Sequence, residues 1–522
     1  VTTFHELLRN GAADHGDRTA IRFEDASVSY EALLDRVEQV AGGLSALGVS
    51  AADHVALVMD NSLECVWAWL ASSVIGCTEV PINPQYRGDL LAYLLSDSET
   101  SVIVCDAHYL AQVTEIAAKL PLLRMILVSG DTTVTNAGAV PVLGFDWSVS
   151  GEPIAVNDDA PERVILYTSG TTGPSKGVVH TQKSMLTLSR YNAEMLEYGP
   201  EDRLLNFFPL YHQNARYTGV IPALCAGASI RIQKRLSTST FWQTCAEDGV
   251  TAFNYLGSVL RLILNVTPPD LTAEGHTIRK AFGAGAPPPI WQDLEARLGI
   301  RLVEVYGLSE APMATVNVRK GAQGSQIGSA GRASDLFEIA IVDADDQVLP
   351  PGGIGEIVLR PKRPDAMMLG YYGKDAATVR AWRNLWFHSG DRGRLSEAGD
   401  LFFEEREKDS IRRRGENISA WEVEGVLDMH PDVAESAVYG IADADADEEV
   451  AAALVLIDPD ADLAAILRFA AERLPRYAVP SLLRVMKDLP RTPTEKVQKA
   501  ELRKTARAEH LAATDILAAD AA

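Results

Sequence analysis

Apolar residues recur at helical spacing between Ser29 and Leu47, at Leu33, Val37, Val40 and Leu44, which predicts an amphipathic helix. The unbroken run Val55-Ala56-Leu57-Val58-Met59 predicts a buried strand. Val66 to Ile75 reads as a buried helix and Ser101-Val102-Ile103-Val104-Cys105 as another strand. This alternation points to parallel sheets covered by helices. The same rhythm returns with strands over Arg203 to Phe207 and Ser229 to Ile232, and it changes near Gly328. There Glu338 to Val342 and Glu356 to Arg360 flank a turn-rich stretch, Asp343 to Gly355, and predict a small antiparallel hairpin region. Past a polar segment, Arg406 to Gly415, the pattern predicts a helix (Ala420 to Met429), two strands (Glu435 to Tyr439, Ala451 to Ile457), a helix (Leu463 to Leu474) and a strand near Leu483. That is a compact α+β unit of about 100 residues, an ordinary domain size. The Ala-rich tail after Lys504 reads as a frayed helix or disordered chain. No repeat or long low-complexity stretch interrupts this order.

Length and composition narrow the picture. At 522 residues the chain exceeds a single core, and about three or four folding units are expected. Its five cysteines, Cys65, Cys77, Cys105, Cys225 and Cys245, are scattered without a C-x-x-C pair. This predicts reduced thiols in a cytoplasmic protein, acting mainly as small buried hydrophobes, with neither a disulfide framework nor a zinc site. The formal charge of −23 opposes nucleic acid and anionic membranes as partners. Val1-Thr2-Thr3-Phe4-His5 has no signal-peptide pattern, and no apolar run of about 18 residues suggests a membrane span.

The chemistry concentrates in Tyr167-Thr168-Ser169-Gly170-Thr171-Thr172-Gly173-Pro174-Ser175-Lys176-Gly177, directly after the apolar run Val164 to Leu166. Glycines let backbone N–H groups approach an anion, hydroxyls add donors, and Lys176 adds a point charge. Such a loop suits polyphosphate. It is not a Walker loop, which requires Gly-Lys-Ser/Thr. A flexible surface turn is the plain alternative.

Four further motifs follow in order: Val305-Tyr306-Gly307-Leu308-Ser309-Glu310, His388-Ser389-Gly390-Asp391, Arg412-Arg413-Arg414-Gly415-Glu416-Asn417-Ile418, and Pro493-Thr494-Glu495-Lys496-Val497-Gln498-Lys499. Together with the loop they resemble the adenylate-forming enzymes: acyl-CoA synthetases, peptide-synthetase adenylation domains and luciferases. The resemblance runs from about residue 4 to residue 505. Pro209-Leu210-Tyr211-His212-Gln213-Asn214-Ala215, Phe253-Asn254-Tyr255-Leu256-Gly257 and Thr494-Glu495-Lys496 are similar to crotonobetaine/carnitine-type acid–CoA ligases. The implied fold is α/β. A large N-terminal domain, 1–407, holds two helix-covered sheets and a small β-barrel-like subdomain; a small mobile α+β domain, 408–522, follows a hinge at Lys408.

The resemblance also implies a reaction. A small carboxylic acid attacks the α-phosphate of ATP, giving an acyl-adenylate and pyrophosphate; CoA then displaces AMP. Thr168, Ser169, Gly170, Thr171, Thr172 and Lys176 would hold the β- and γ-phosphates. Glu310 would bind Mg²⁺, and Ser309, where relatives usually carry Thr, would donate to the α-phosphate. Gly283-Ala284-Gly285 and Glu304-Val305-Tyr306-Gly307 would enclose the adenine, while Asp391 and Arg406 would hold the ribose. Lys496 would bridge carboxylate and α-phosphate during adenylation. Its neighbour Glu495, where many relatives have Gly, reads as a mark of the carnitine-type branch. Rotation about Lys408 would then bring Gly415 to the thiol tunnel. Arg412, Arg413 and Arg414 would meet CoA phosphates or form a solvated charged strand, and Ala478 replaces a lysine common in relatives.

The acid pocket would be walled by His212, Asn214, Tyr255, Gly257, Ala284 and Leu308. His212 would gate the pocket or contact the carboxylate, unless it is simply a buried hydrogen-bonded histidine. Arg216 would reach the same wall and favour an anionic or polar acid over a trimethylammonium group, unless it forms a surface salt bridge. A short polar or aromatic acid is therefore expected. An acceptor other than CoA stays open at this point: a carrier thiol, an amine, or nitrite for diazotising an arylamine. So does a homodimer.

Overall fold

The computed structural model describes residues 3–147, 163–168, 175–317, 324–406, 411–413, 416–418, 420–442, 448–474, 476, 478–492, 497–504 and 509–520. The chain falls into two compact units, Val1–Glu338 with Leu359–Phe387, and Ile339–Val358 with His388–Ala522. The expected hinge residue, Lys408, lies outside the described residues.

The first unit holds two nine-stranded sheets. In one, Arg301–Tyr306, Lys280–Ala284, Ala252–Leu256, Arg203–Asn206, Ser229–Ile232 and Thr19–Phe23 lie side by side in that order, all parallel. In the other, the parallel strands Thr78–Pro81, His54–Val58, Val102–Asp106 and Met125–Ser129 are neighbours. Their near-continuous apolar runs follow from parallel pairing, because helices cover both faces. The covering helices start where the sequence supplies caps. Ser29 accepts from Ala32 N–H at the start of Tyr30–Ala46. Ser62 accepts from Cys65 N–H at the start of Leu63–Ile75, and Gly76 ends that helix in the left-handed region. The predicted strands and helices appear within a few residues of their expected limits.

In the second unit Leu401–Arg406 pairs with Trp386–Leu395, placing Arg406 opposite Asp391. Farther on, Val433–Ala442, Glu448–Leu456 and Leu482–Met486 form a sheet packed by Ala420–Leu427 and Leu463–Ala471. Of the two expectations for the tail, the helical one appears, and it is anchored rather than frayed. Leu511–Ala512 extends this sheet by pairing with Leu482–Met486, and Ala513–Asp520 is a helix. Ala513 and Ile516 pack on the apolar cluster, and buried His510 meets the Tyr439 hydroxyl at 2.8 Å, so the segment is anchored by burial. Ala478 lies in the same cluster. All five cysteines are free thiols; Cys225 is half-buried and the others buried. No helix among the described residues is long and apolar enough to cross a membrane.

Candidate active site

Three structural groups in the first unit carry the predicted residues. The first is a hairpin. Arg163–Thr168 and Lys176–Thr181 pair antiparallel with Thr168 opposite Lys176, so the glycine-rich segment is the connection between them. Ser169, Gly170, Thr171 and Thr172 lie outside the described residues. Tyr93 fixes the far end of the loop, its hydroxyl donating to the Ser175 carbonyl at 2.9 Å. Lys176 and His180 are four residues apart on one strand and share a face. Lys176 Nζ sits 4.3 Å from the centre of the Tyr371 ring, a cation–π distance.

The second group is the turn after Arg301–Tyr306. His180 is completely buried, and burial pushes its pKa down to about 4. The neutral ring places Nε2 2.7 Å from the Ser309 carbonyl, which assigns the proton to that nitrogen as a donor. Met368 N–H donates to the Glu310 carbonyl at 2.9 Å. The Tyr371 hydroxyl donates to Glu310 Oε1 at 2.8 Å. Burial and the Glu310 charge together push the Tyr371 pKa far up, so that hydroxyl stays protonated. Lys176 and Glu310 thus converge on the two ends of one tyrosine. Neither His180 nor Tyr371 stood out in the sequence. His180 lies in a plain apolar strand, and Tyr371 is 61 residues from its partner.

The third group is built from the carboxyl ends of neighbouring parallel strands, where ligands of open α/β sheets bind. Leu256-Gly257, Ala284-Gly285 and Tyr306-Gly307 lie along this edge, with Gly285 and Gly307 exposed. Gly257 is required here: a Cβ on it would collide with the Gly285 carbonyl oxygen. Glu304 is buried, and its carboxylate ties the turn. It accepts from the N–H of Gly285 and Ala286 and, at 2.6 Å, from the Tyr255 hydroxyl. Burial pushes the Glu304 pKa up to about 8. Val305 is half-buried and Tyr306 buried beside it. Tyr255, expected on the acid-pocket wall, is fully buried with its hydroxyl engaged by Glu304, and so supports the turn at Gly285 and Ala286.

Of the residues expected to wall the acid, His212 precedes Gln213–Ala215, Asn214 lies within it, Arg216 follows it, and Leu308 follows Arg301–Tyr306. His212, Asn214 and Leu308 are half-buried. Asn214 Oδ1 accepts from Asn254 Nδ2 at 2.8 Å and from the Thr218 hydroxyl at 3.1 Å. Arg216–Val220 is a π-helical turn, a distortion frequent at functional sites. Arg216 is the main correction. Its side chain is fully buried, neither on the surface nor on an open pocket wall. Nη1 forms an ion pair with Glu79 Oε1 at 2.5 Å, and the guanidinium lies 4.5 Å from the Trp69 ring centre. Burial pushes the Glu79 carboxyl up against the pull of Arg216, while the guanidinium keeps its charge. Glu79 sits in the other sheet, 137 residues away, so sequence spacing offered no sign of the pair.

In the second unit, Asp391 is buried and its N–H donates to the Ser389 hydroxyl at 3.1 Å. Glu356 holds the turn, accepting from Gly390 N–H at 3.0 Å and facing His388 Nδ1 at 2.8 Å. Lys408, Gly415 and Lys496 lie outside the described residues, as do the side chains of Arg406, Arg412 and Arg413.

The hairpin around the glycine-rich segment, the Glu310 turn tied to it and an open strand edge mark the class: an α/β fold with a ligand edge at the carboxyl ends of its strands. A family model described as "AMP-binding enzyme" matches residues 8–372, and "AMP-binding enzyme C-terminal domain" matches 422–496. Crotonobetaine/carnitine–CoA ligase of Salmonella paratyphi B is 30% identical over 509 residues, spanning 94% of this chain and 97% of the relative. Among solved structures, o-succinylbenzoate CoA synthetase from Bacillus subtilis, in complex with its acyl-adenylate intermediate, is similar with a TM-score of 0.81. It is 26% identical and covers 96% of this chain and 98% of that one. ATP-bound MatB from Rhodopseudomonas palustris has a TM-score of 0.82 at 27% identity, covering 96% and 99%. The chain belongs to the AMP-binding enzyme family.

Proposed function

We propose that this enzyme joins a small polar or aromatic carboxylic acid to CoA, through an acyl-adenylate made from ATP. The observation that carries this reading is the convergence of Lys176 and Glu310 on Tyr371. It links a phosphate-loop cation to an acidic side chain through one neutral tyrosine, whose ring faces the cation and whose hydroxyl donates to the carboxylate. Lys176 would neutralise the β- and γ-phosphates, and Tyr371 would orient the Glu310 carboxylate. A hard divalent cation takes carboxylate and phosphate oxygens, so Glu310 would hold Mg²⁺, which would supply charge neutralisation at the phosphates. Positioning and electrostatics do most of the work in such transfers. Ser309, held through its carbonyl by His180, would face the α-phosphate. The Gly285 and Gly307 edge would take the adenine, and Asp391 the ribose.

The polar character of the acid would come from His212 and Asn214. Arg216, neutralised by Glu79, gives no support to an anionic acid. Lys496 would serve adenylation and Gly415 the thiol step, with Lys408 as the hinge between 1–407 and 408–522. These three roles rest on the resemblance of their motifs. CoA is the acceptor favoured by the relatives, several of which are named CoA ligases. Nothing comparable favours an amine or nitrite.

The test is pyrophosphate release from ATP and Mg²⁺ across a panel of short, carnitine-like and hydroxy- or aminoaryl acids, with CoA, with nitrite, or with neither. One acid should stand out and yield a thioester with CoA. Release that needs nitrite or an amine would overturn the CoA assignment while keeping adenylation.

A further inference from the structure

A cleft of about 220 Å³ opens at the edge of the first unit where Thr19–Phe23, Ser229–Ile232 and Arg203–Asn206 begin. The adenine-side turns follow the carboxyl ends of the same parallel sheet, so the cleft lies at the opposite edge. Four arginines line it: Arg18, Arg22, Arg203 and Arg231.

Their arrangement centres on Asp248. This residue is 7% exposed and stands at the last position of Phe241–Asp248, where the helix dipole opposes a carboxylate. Arg22 Nη1 lies 2.8 Å from Oδ1 and Arg231 Nη1 lies 2.9 Å from Oδ2. Arg203 Nη1 donates to the Asp248 backbone carbonyl at 3.1 Å. One carboxylate therefore joins two guanidiniums, and the carbonyl of the same residue holds a third. Asp202, also buried, is engaged by Arg279 Nη2 and by the Thr251 hydroxyl, each at 2.6 Å. Glu201 is 88% exposed and meets Arg18 at 3.2 Å, a rim pair of the weak surface kind.

Four guanidiniums against the carboxylates of Glu201, Asp202 and Asp248 leave this lining at a net charge of 4 − 3 = +1, in a chain whose formal charge is −23. Arg18 and Arg22 keep more than two-fifths of their side-chain surface accessible. Thr19 and Ser229 add hydroxyls to the lining. Asp248 and Glu201 offset part of the guanidinium charge, and the forked donors still accessible on Arg18 and Arg22 match the oxygens of a phosphate. The volume is below the usual range for drug-sized ligands, which favours a compact anion. We propose that this cleft binds a small phosphate-bearing anion, at a site separate from the nucleotide site.

The experiment is calorimetric titration of the full chain with inorganic phosphate and, separately, with pyrophosphate, at ionic strength fixed with chloride. Wild type is compared with Arg18→Ser, Arg22→Gln and Lys176→Ala. A saturable site is expected whose affinity falls at least about tenfold in each arginine variant, the scale of one charge-assisted hydrogen bond. Lys176→Ala should keep it. A preference for pyrophosphate over phosphate would identify a polyphosphate ligand, and the reverse a single phosphate group; both support the site. Should Arg22→Gln fail to fold by circular dichroism, Arg18→Ser decides alone, since among the described residues the Arg18 side chain hydrogen-bonds only the Pro200 carbonyl and exposed Glu201. Absence of saturable binding, binding lost with Lys176, or binding unchanged in Arg18→Ser would each overturn the proposal.

Discussion

Glu310 and Arg216 are both charged residues in stretches that look functional in the sequence, yet the fold treats them in opposite ways. Glu310 is half-buried and is held by neutral donors, the Tyr371 hydroxyl on its carboxylate and the Met368 N–H on its carbonyl. Arg216 is fully buried and meets the opposite charge of Glu79. Its field is cancelled a few ångströms away. The proposed role of Glu310 leaves its charge to a ligand, whereas the charge of Arg216 is taken up within the core.

Three substitutions and one titration sharpen this contrast, in decreasing order of effect. Arg216→Ala strands the Glu79 carboxylate in the core and should cost about 3–5 kcal/mol of stability, read by denaturant or thermal unfolding. The double change Glu79→Gln with Arg216→Met should recover most of the loss. If instead the single variant folds normally and loses only affinity for the acid, Arg216 belongs to the pocket and the comparison fails.

Glu310→Gln should leave folding intact and reduce acid-dependent pyrophosphate release about 10²- to 10³-fold, the scale for removing one charge-stabilising group. A loss of stability matching that of Arg216→Ala would remove the distinction between the two residues.

His180 supplies a pH test of how the acidic turn is held. Its pKa is lowered from 6.5 to about 4 in the folded state, so the folded protein binds fewer protons than the unfolded chain between those values. The stability this neutral ring supports is full above pH 6.5. It is lost as pH falls toward 4, by about 1.4 kcal/mol per pH unit. His180→Gln should flatten that dependence; an unchanged slope would show that other groups govern it.

Tyr371→Phe removes one hydrogen bond to Glu310 while keeping the ring under Lys176. A drop of about tenfold in turnover with unchanged unfolding is expected for a bond to a charged group. No drop would show that Glu310 needs no orienting partner.

Much of this organisation was legible in one dimension. The unbroken apolar strands and the helical spacing between Ser29 and Leu47 are local signals, and burial periodicity is enough to interpret them. The order of five motifs was interpreted through its resemblance to a family. The helix in the C-terminal tail was among the expected outcomes, but its anchoring was not legible, because the anchors, the Tyr439 hydroxyl and the edge of Leu482–Met486, belong to other segments. Tyr255 and Glu304 were each assigned to a ligand, and their mutual bond emerged only where their strands, flanking Lys280–Ala284, brought them together.

The sequence by itself determined the family, the alternation of strands and helices, and which residues have the chemistry for phosphate, metal and ribose. Tertiary structure alone decided how those charges are used. It set Lys176 and Glu310 on one tyrosine, joined Arg216 to Glu79 across 137 residues, and gathered the arginines around Asp248. The physical reason is that a residue's charge is a local property, whereas the field it exerts depends on burial and on partners that chain order does not reveal.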